Sequence, residues 1–143
     1  MLENGDESYP AMLDAIARAR SSINLESSSD DVAALRTAGC VVEFFHPLRP
    51  WMLDTINNRT HRRLLVVDGR IGFTGGAGVA DVWLGHAEEP GNWRDTHAQV
   101  EGPVVAQLQD AFQENWAEVR GEALRGEAYF SGLVPAATTA LFV

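Results

Sequence analysis

Lysine is missing from this chain of 143 residues; all eleven of its Lys-or-Arg positions are arginine. The absence reads mainly as compositional bias, and it leaves guanidinium groups to do any permanent cationic work. Cysteine occurs once, at Cys40, which excludes an internal disulfide. A lone cysteine of this kind is expected to be a small buried apolar group and fits a reducing compartment. Positive charge is scarce overall: the formal net charge is −9, so non-specific attraction to nucleic acid or to anionic bilayers is disfavoured. Long apolar runs are lacking too. No stretch approaches the roughly 20 residues that a helix needs to cross a bilayer, and the opening MLENGDESYP has no basic-then-apolar signal. Repeats and low-complexity tracts are absent. What is present, at 45% hydrophobic and 22% charged, reads as one soluble globular domain, long enough to bury about two-thirds of its unfolded surface.

The apolar pattern predicts a helix over residues 6–20, with Asp6 and Ser8 as caps, Pro10 in the first turn and an apolar stripe of Met12, Leu13, Ile16 and Ala17. SINLES (22–27) reads as a strand, VAALRTAG (32–39) as a short helix stopped by Gly39, and CVVEFFH (40–46) as an apolar strand. That order, with its short crossover, predicts a parallel pair. A hairpin follows at 60–76, then a helix-like GVADVWLG, a polar loop, and a strand in the second half of WRDTHAQVEG. Pro103 opens a long helix with Val104, Val105, Leu108, Ala111, Phe112, Trp116 and Val119 on one face. Residues 128–143 read as a linker and the start of a following strand that the chain cuts short, leaving 1–127 as the domain. The expected fold class is α/β: a mixed β-sheet with helices on both faces.

The hairpin THRRLLVVDGRIGFTGG carries the chemistry. Side chains alternate along a strand, so His61, Arg63, Leu65 and Val67 share one face, and Arg62, Leu64 and Val66 the other. A histidine beside a permanent cation suits phosphate: imidazole attacks phosphorus or moves a proton while guanidinium holds the oxygens. Asp68 is a candidate to orient the imidazole. Gly75 and Gly76 would let backbone N–H groups approach a phosphate, with a helix start just beyond. Each feature also has a plain structural reading. Asp68-Gly69 is a turn signal by itself, the arginines suit the solvated end of a strand, and paired glycines suit a turn.

From Asn57 to Trp116 the sequence resembles the phospholipase D superfamily, in particular bacterial cardiolipin synthase-like proteins. The family signature, His-x-Lys-x4-Asp before a Gly-rich turn, stands here as HRRLLVVD, with His61 and Asp68 in register and Arg63 in the lysine's position. NWRDTHAQVEGPVVAQLQDAFQENW, YPAMLDAIARARSSINLES and AALRTAGCVVEFFHPLRPW resemble further segments of that subfamily. The resemblance implies a two-step displacement without metal or cofactor. His61 attacks phosphorus to form a phosphohistidine, and a second histidine protonates the leaving alcohol and then activates the acceptor. Arg63 holds the phosphoryl oxygens and Asp68 supports the histidines. The implied donor is phosphatidylglycerol, at the inner face of a bacterial membrane, with the chain itself cytoplasmic.

The chain departs from the family pattern in three ways. Arginine replaces lysine at 63. Only one motif is present, since His46, His86 and His97 start no second one; the family site uses two, so completeness requires a homodimer or a second half. The passage from SINLES to DDVAALRTAG is abrupt where relatives carry an extra helix and strand. Besides the motif, Glu26, at the end of its strand, and Asn58, with Asn57, are candidate site-lining residues, while His97 is expected mainly to support structure. The leading expectation is phospholipase D-type phosphatidyl transfer or phosphodiester hydrolysis. Its rivals are an inactive half-domain that binds phosphate or dimerises, and a homodimeric phosphodiesterase or nuclease; the acidic charge makes nucleic acid an unlikely partner.

Overall fold

Four consecutive apolar residues, Leu64–Val67, form a strand buried on both faces, with the two long helices of the described residues packed on either side of it. The computed structural model describes residues 1–27, 32–45 and 62–131. In chain order they form β1 (Leu2–Glu3), α1 (Asn4–Ala17), β2 (Ile23–Glu26), α2 (Val32–Thr37), β3 (Leu64–Val67), β4 (Ile71–Gly75), a 3-10 turn (Asp81–Trp83), β5 (Thr96–Glu101) and α3 (Val104–Arg120). The sheet order is β1-β5-β4-β3-β2. Leu64 and Val66 pack against Val105, Leu108 and Phe112 of α3, whereas Leu65 and Val67 pack with Phe73 and Ala15 on the α1 side. Alternation along β3 thus builds two cores at once, and a strand covered on both faces reads as a continuous apolar run. The α/β class, a sheet with helices on both faces, is as expected.

All four strand pairings among the described residues are antiparallel. Among the described residues, the parallel pair expected across residues 22–46 does not form. β2 runs antiparallel to β3, and residues 41–45 have no regular structure, with Val41 and Phe44 exposed. The six-residue α2 rises only about 9 Å, too short to carry a covering crossover. Cys40, expected to be buried, is exposed for the same reason: its segment lies outside the sheet. Gly39 does end the short helix, with φ of +88°.

α1 starts earlier than expected. Asn4, almost fully buried, donates from Nδ2 to the Gly85 carbonyl at 2.5 Å, and its Oδ1 accepts the Asp95 N–H at 2.7 Å. Asp6 and Ser8 are not caps: Asp6 accepts the Gly85 N–H, and Ser8 donates back to the Asn4 carbonyl within the helix. Pro10 lies inside the helix rather than in its first turn. The helix expected near 78–85 is only the 3-10 turn. Residues 126–131, where a linker was expected to begin, fold back over the β3–β4 turn: Ser131 Oγ donates to the Gly69 carbonyl at 2.7 Å.

The turn itself matches the sequence. Asp68 and Gly69 have φ of +52° and +59°, and the Arg70 N–H donates to the Val67 carbonyl at 3.0 Å, as in a type I′ turn, within a three-residue loop because Val67 pairs with Ile71. The Asp68 carboxylate accepts N–H bonds from Arg20, Ser21 and Ser22 at 2.9, 2.7 and 2.9 Å, tying the α1–β2 connection to the hairpin. Burial pulls this carboxyl's pKa up, but the N–H groups of Ser22, Ser21 and Arg20 and the charge of Arg70 outweigh it and hold the pKa below the ordinary carboxylate range. Its stabilisation is therefore complete above the unfolded-state pKa and is lost as pH falls through the lower folded-state value. Asp68→Ala is expected to cost about 2–3 kcal/mol at neutral pH. Urea titrations at several pH values should show the gap from wild type closing in acid; a gap constant with pH would contradict this role.

Candidate phosphate site

The sheet register decides what faces Arg63. Leu64 pairs with Thr74 and Leu65 with Phe73, so the next step of the ladder sets residue 63 opposite Gly75, which itself pairs with His97. Residues directly opposite project to the same face. Arg63, Gly75 and His97 therefore form one row across three strands, on the α1 side of the sheet, and the middle position has no side chain. Arg62 points the other way, as alternation requires: its Nη2 donates to Asn115 Oδ1 of α3 at 2.8 Å.

The glycines after β4 make room for side chains. A Cβ at Gly75 would lie 2.6 Å from His97 Nδ1, one at Gly76 would collide with the Asp95 carboxylate, and one at Gly78 would lie 3.2 Å from Arg63 Nε and 3.3 Å from Trp83 Nε1. The space at the Cβ positions of Gly75 and Gly76 is taken by His97 and Asp95. Asp95 Oδ1 accepts the N–H groups of Gly76 and Thr96 at 3.2 and 2.6 Å. Arg63 Nη1 donates to the Gly76 carbonyl at 2.6 Å, and its guanidinium carbon lies 6.0 Å from the centre of the Trp83 ring. Trp83 meets Trp93 edge-on, and Tyr9 Oη donates to the Gly78 carbonyl at 2.6 Å, so α1 straps this loop against the arginine.

Among the described residues, two polar atoms in this row are buried without a hydrogen-bond partner, Arg63 Nε and His97 Nδ1. Both residues line one small cavity, together with Tyr9, Ser27, Ala77 and Val79. Burial pushes the His97 imidazole pKa below its ordinary value; nearby Asp95 opposes this and Arg63 adds to it.

The remaining candidates are distributed as follows. Glu26 borders the same cavity, but its Oε1 accepts from Asn115 at 2.9 Å and lies 3.9 Å from Arg62 Nε, which takes the carboxylate to the α3 side. Asp68 sits at the far end of β3, five residues or about 16 Å of strand from Arg63, with its carboxylate committed to backbone N–H groups. The structure does not bring it to the arginine; its carboxylate ties the α1–β2 connection to the hairpin. His61 and Asn58 lie outside the described residues. His97, expected mainly to support structure, comes to the same row as Arg63, one strand beyond Gly75. The signal was alternation in THAQVE beside a double glycine, which becomes informative only once the strand register is known.

Comparison with known proteins agrees with the resemblance. A cardiolipin synthase of Alkalihalophilus pseudofirmus is 40% identical over 105 residues, covering 73% of this chain and 21% of that protein. One from Geobacillus thermodenitrificans is 31% identical over 170 residues, covering 92% of this chain and 34% of its own length. Cardiolipin synthase A of Pseudomonas fluorescens is 48% identical over 86 residues, 59% of this chain and 18% of that protein. The Geobacillus match takes in about 132 residues of this chain (92% of 143), so the relative carries about 38 further positions within the matched span. No family model matches the chain. No solved structure matches it either. The chain is a relative of the bacterial cardiolipin synthases of the phospholipase D superfamily, spanning about a fifth to a third of the length of the curated relatives it matches.

Proposed function

We propose that this chain supplies one half of a phospholipase D-type site that transfers or hydrolyses a phosphodiester, with a phospholipid as substrate in the manner of a cardiolipin synthase. The observation that carries the proposal is the Arg63 row: a guanidinium strapped beside a small cavity, in a stretch similar to cardiolipin synthases. In the reaction, a His61 nitrogen forms a bond to phosphorus as the bond to the leaving alkoxide breaks. A second histidine gives that alkoxide its proton. The acceptor alcohol, or water, then loses a proton to the same group and displaces the phosphohistidine. Arg63 holds the non-bridging oxygens. The second histidine comes from another copy of the chain or from a second half, since HRRLLVVD occurs once. Among the described residues no helix is long and apolar enough to cross a membrane; the proposed location is the cytoplasmic side, at the membrane periphery.

A second reading, a half-site that binds phosphate without turning it over, is favoured by one observation: Arg63 already donates to the Gly76 carbonyl. Turnover of a chromogenic phosphodiester by the wild type and by His61→Ala separates the two. Catalysis predicts a rate that rises with dimer formation and falls by about 10³-fold or more in the variant. Equal background rates at every protein concentration would exclude a site completed by a second copy and leave the binding reading or a site completed by a separate second half.

A further inference from the structure

Arg63 Nε and His97 Nδ1 are both buried and, among the described residues, have no hydrogen-bond partner; Arg63 Nε lies 3.2 Å from the Cβ position of Gly78, His97 Nδ1 lies 2.6 Å from that of Gly75, and both residues line the same small cavity. One is a donor. The other is an acceptor whenever the imidazole is neutral with its proton on Nε2. The cavity has room for about one water, and a buried donor and acceptor on residues that line one such space call for a bridging molecule.

We infer that His97 is a positioning residue for Arg63, linked to it through a single buried water in the cavity that both residues line. The neutral imidazole accepts from the water, the water accepts from Arg63 Nε–H, and the Gly76 carbonyl holds Nη1. Two of the three groups of the guanidinium are then fixed, and Nη2 is left to present to an anion. This inference rests on the phosphate-site reading and adds a residue that the signature does not contain. Among the described residues, the charged and titratable groups around His97 are few. Arg63 lies on the same row, and Asp95 precedes β5 with Oδ1 bound to backbone N–H groups. Tyr9 of α1 lines the cavity, and the Glu26 carboxylate of β2 is held on the opposite face. Protonating His97 turns its acceptor into a donor and sets a second cation beside Arg63, which loosens the arginine. Burial and Arg63 place this transition on the acid side of an ordinary histidine.

The test measures binding of a soluble phosphodiester, whose charge stays constant across the range, to the full chain between about pH 8 and pH 5. In the wild type, affinity is expected to be flat near neutrality and to fall about tenfold as His97 becomes protonated, the equivalent of one unit of coupled pKa. His97→Asn keeps an acceptor near the Nδ1 position and does not titrate, so its affinity should match the wild type and stay flat. His97→Leu should be about tenfold weaker at every pH, with unchanged circular dichroism. In parallel, NMR of His97 is expected to show an upward pKa shift in Arg63→Gln. Wild-type affinity in His97→Leu, or a histidine pKa indifferent to Arg63→Gln, would overturn the inference. Affinity that rises on acidification would also overturn it, because the imidazolium would then be touching the anion itself. Absence of phosphodiester binding together with a His97 pKa that does respond to Arg63 would uphold the linkage and remove the phosphate reading instead.

Discussion

Gly69→Ala is expected to destabilise the domain by about 3–5 kcal/mol, a large share of the 5–15 kcal/mol typical of a folded domain. Two costs add. Residue 69 has φ of +59°, where an L side chain costs about 1–2 kcal/mol. The new Cβ would also collide with the Tyr129 carbonyl oxygen and lie 3.0 Å from the Ser131 N, both backbone atoms that no rotamer change can move. Overpacking of this kind adds about 1–3 kcal/mol. Relief would require residues 126–131 to lift off the hairpin turn, breaking the Ser131 bond to the Gly69 carbonyl. Gly91→Ala is the control, since nothing lies within 4 Å of its Cβ position and its φ is not positive; its effect should stay within about 0.5 kcal/mol. Urea midpoints for the pair decide the matter. A Gly69→Ala midpoint close to that of the control would mean that the segment after α3 does not dock on the turn.

Phe73→Ala should cost about 3–5 kcal/mol, the usual range for truncating a buried aromatic side chain. Phe73 is 1% exposed and packs with Leu65, Val67 and Ala15 beneath α1. Its consequence reaches the site as well. The Leu65–Phe73 pair is the next same-face row to Arg63–Gly75–His97, and Phe73 lines the same cavity. Truncation enlarges that cavity, so phosphodiester binding should weaken even where the protein remains folded. A variant as unstable as expected that still binds with wild-type affinity would show that the arginine does not depend on this floor.

The hairpin was legible because its signals are local. Asp-Gly supplies the two positive φ values of the turn, and the period of two assigns Arg62 and Arg63 to opposite faces, as their contacts with Asn115 and Gly76 confirm. The long helix after Pro103 was legible from its apolar stripe, although Val119 at its end is 38% exposed. CVVEFFH misled because β-branched and aromatic residues favour strands only where a sheet edge receives them. Pro10 misled because the helix begins at Asn4, whose side chain and backbone bind the 85–95 region, a contact with no local signature.

By itself the sequence determined the helix and strand periods around the hairpin, the pairing of a histidine with an arginine in a phospholipase D-like motif, and the lack of a second motif. These depend on neighbours a few residues apart. Only the tertiary structure decided what each polar group does. The carboxylate of Asp68 is taken by N–H groups more than 45 residues away, the glycines at 75 and 76 are emptied for His97 and Asp95, and His97 reaches the arginine's row. Each of those outcomes depends on strand register, and register is fixed by which apolar faces find cover rather than by any one segment.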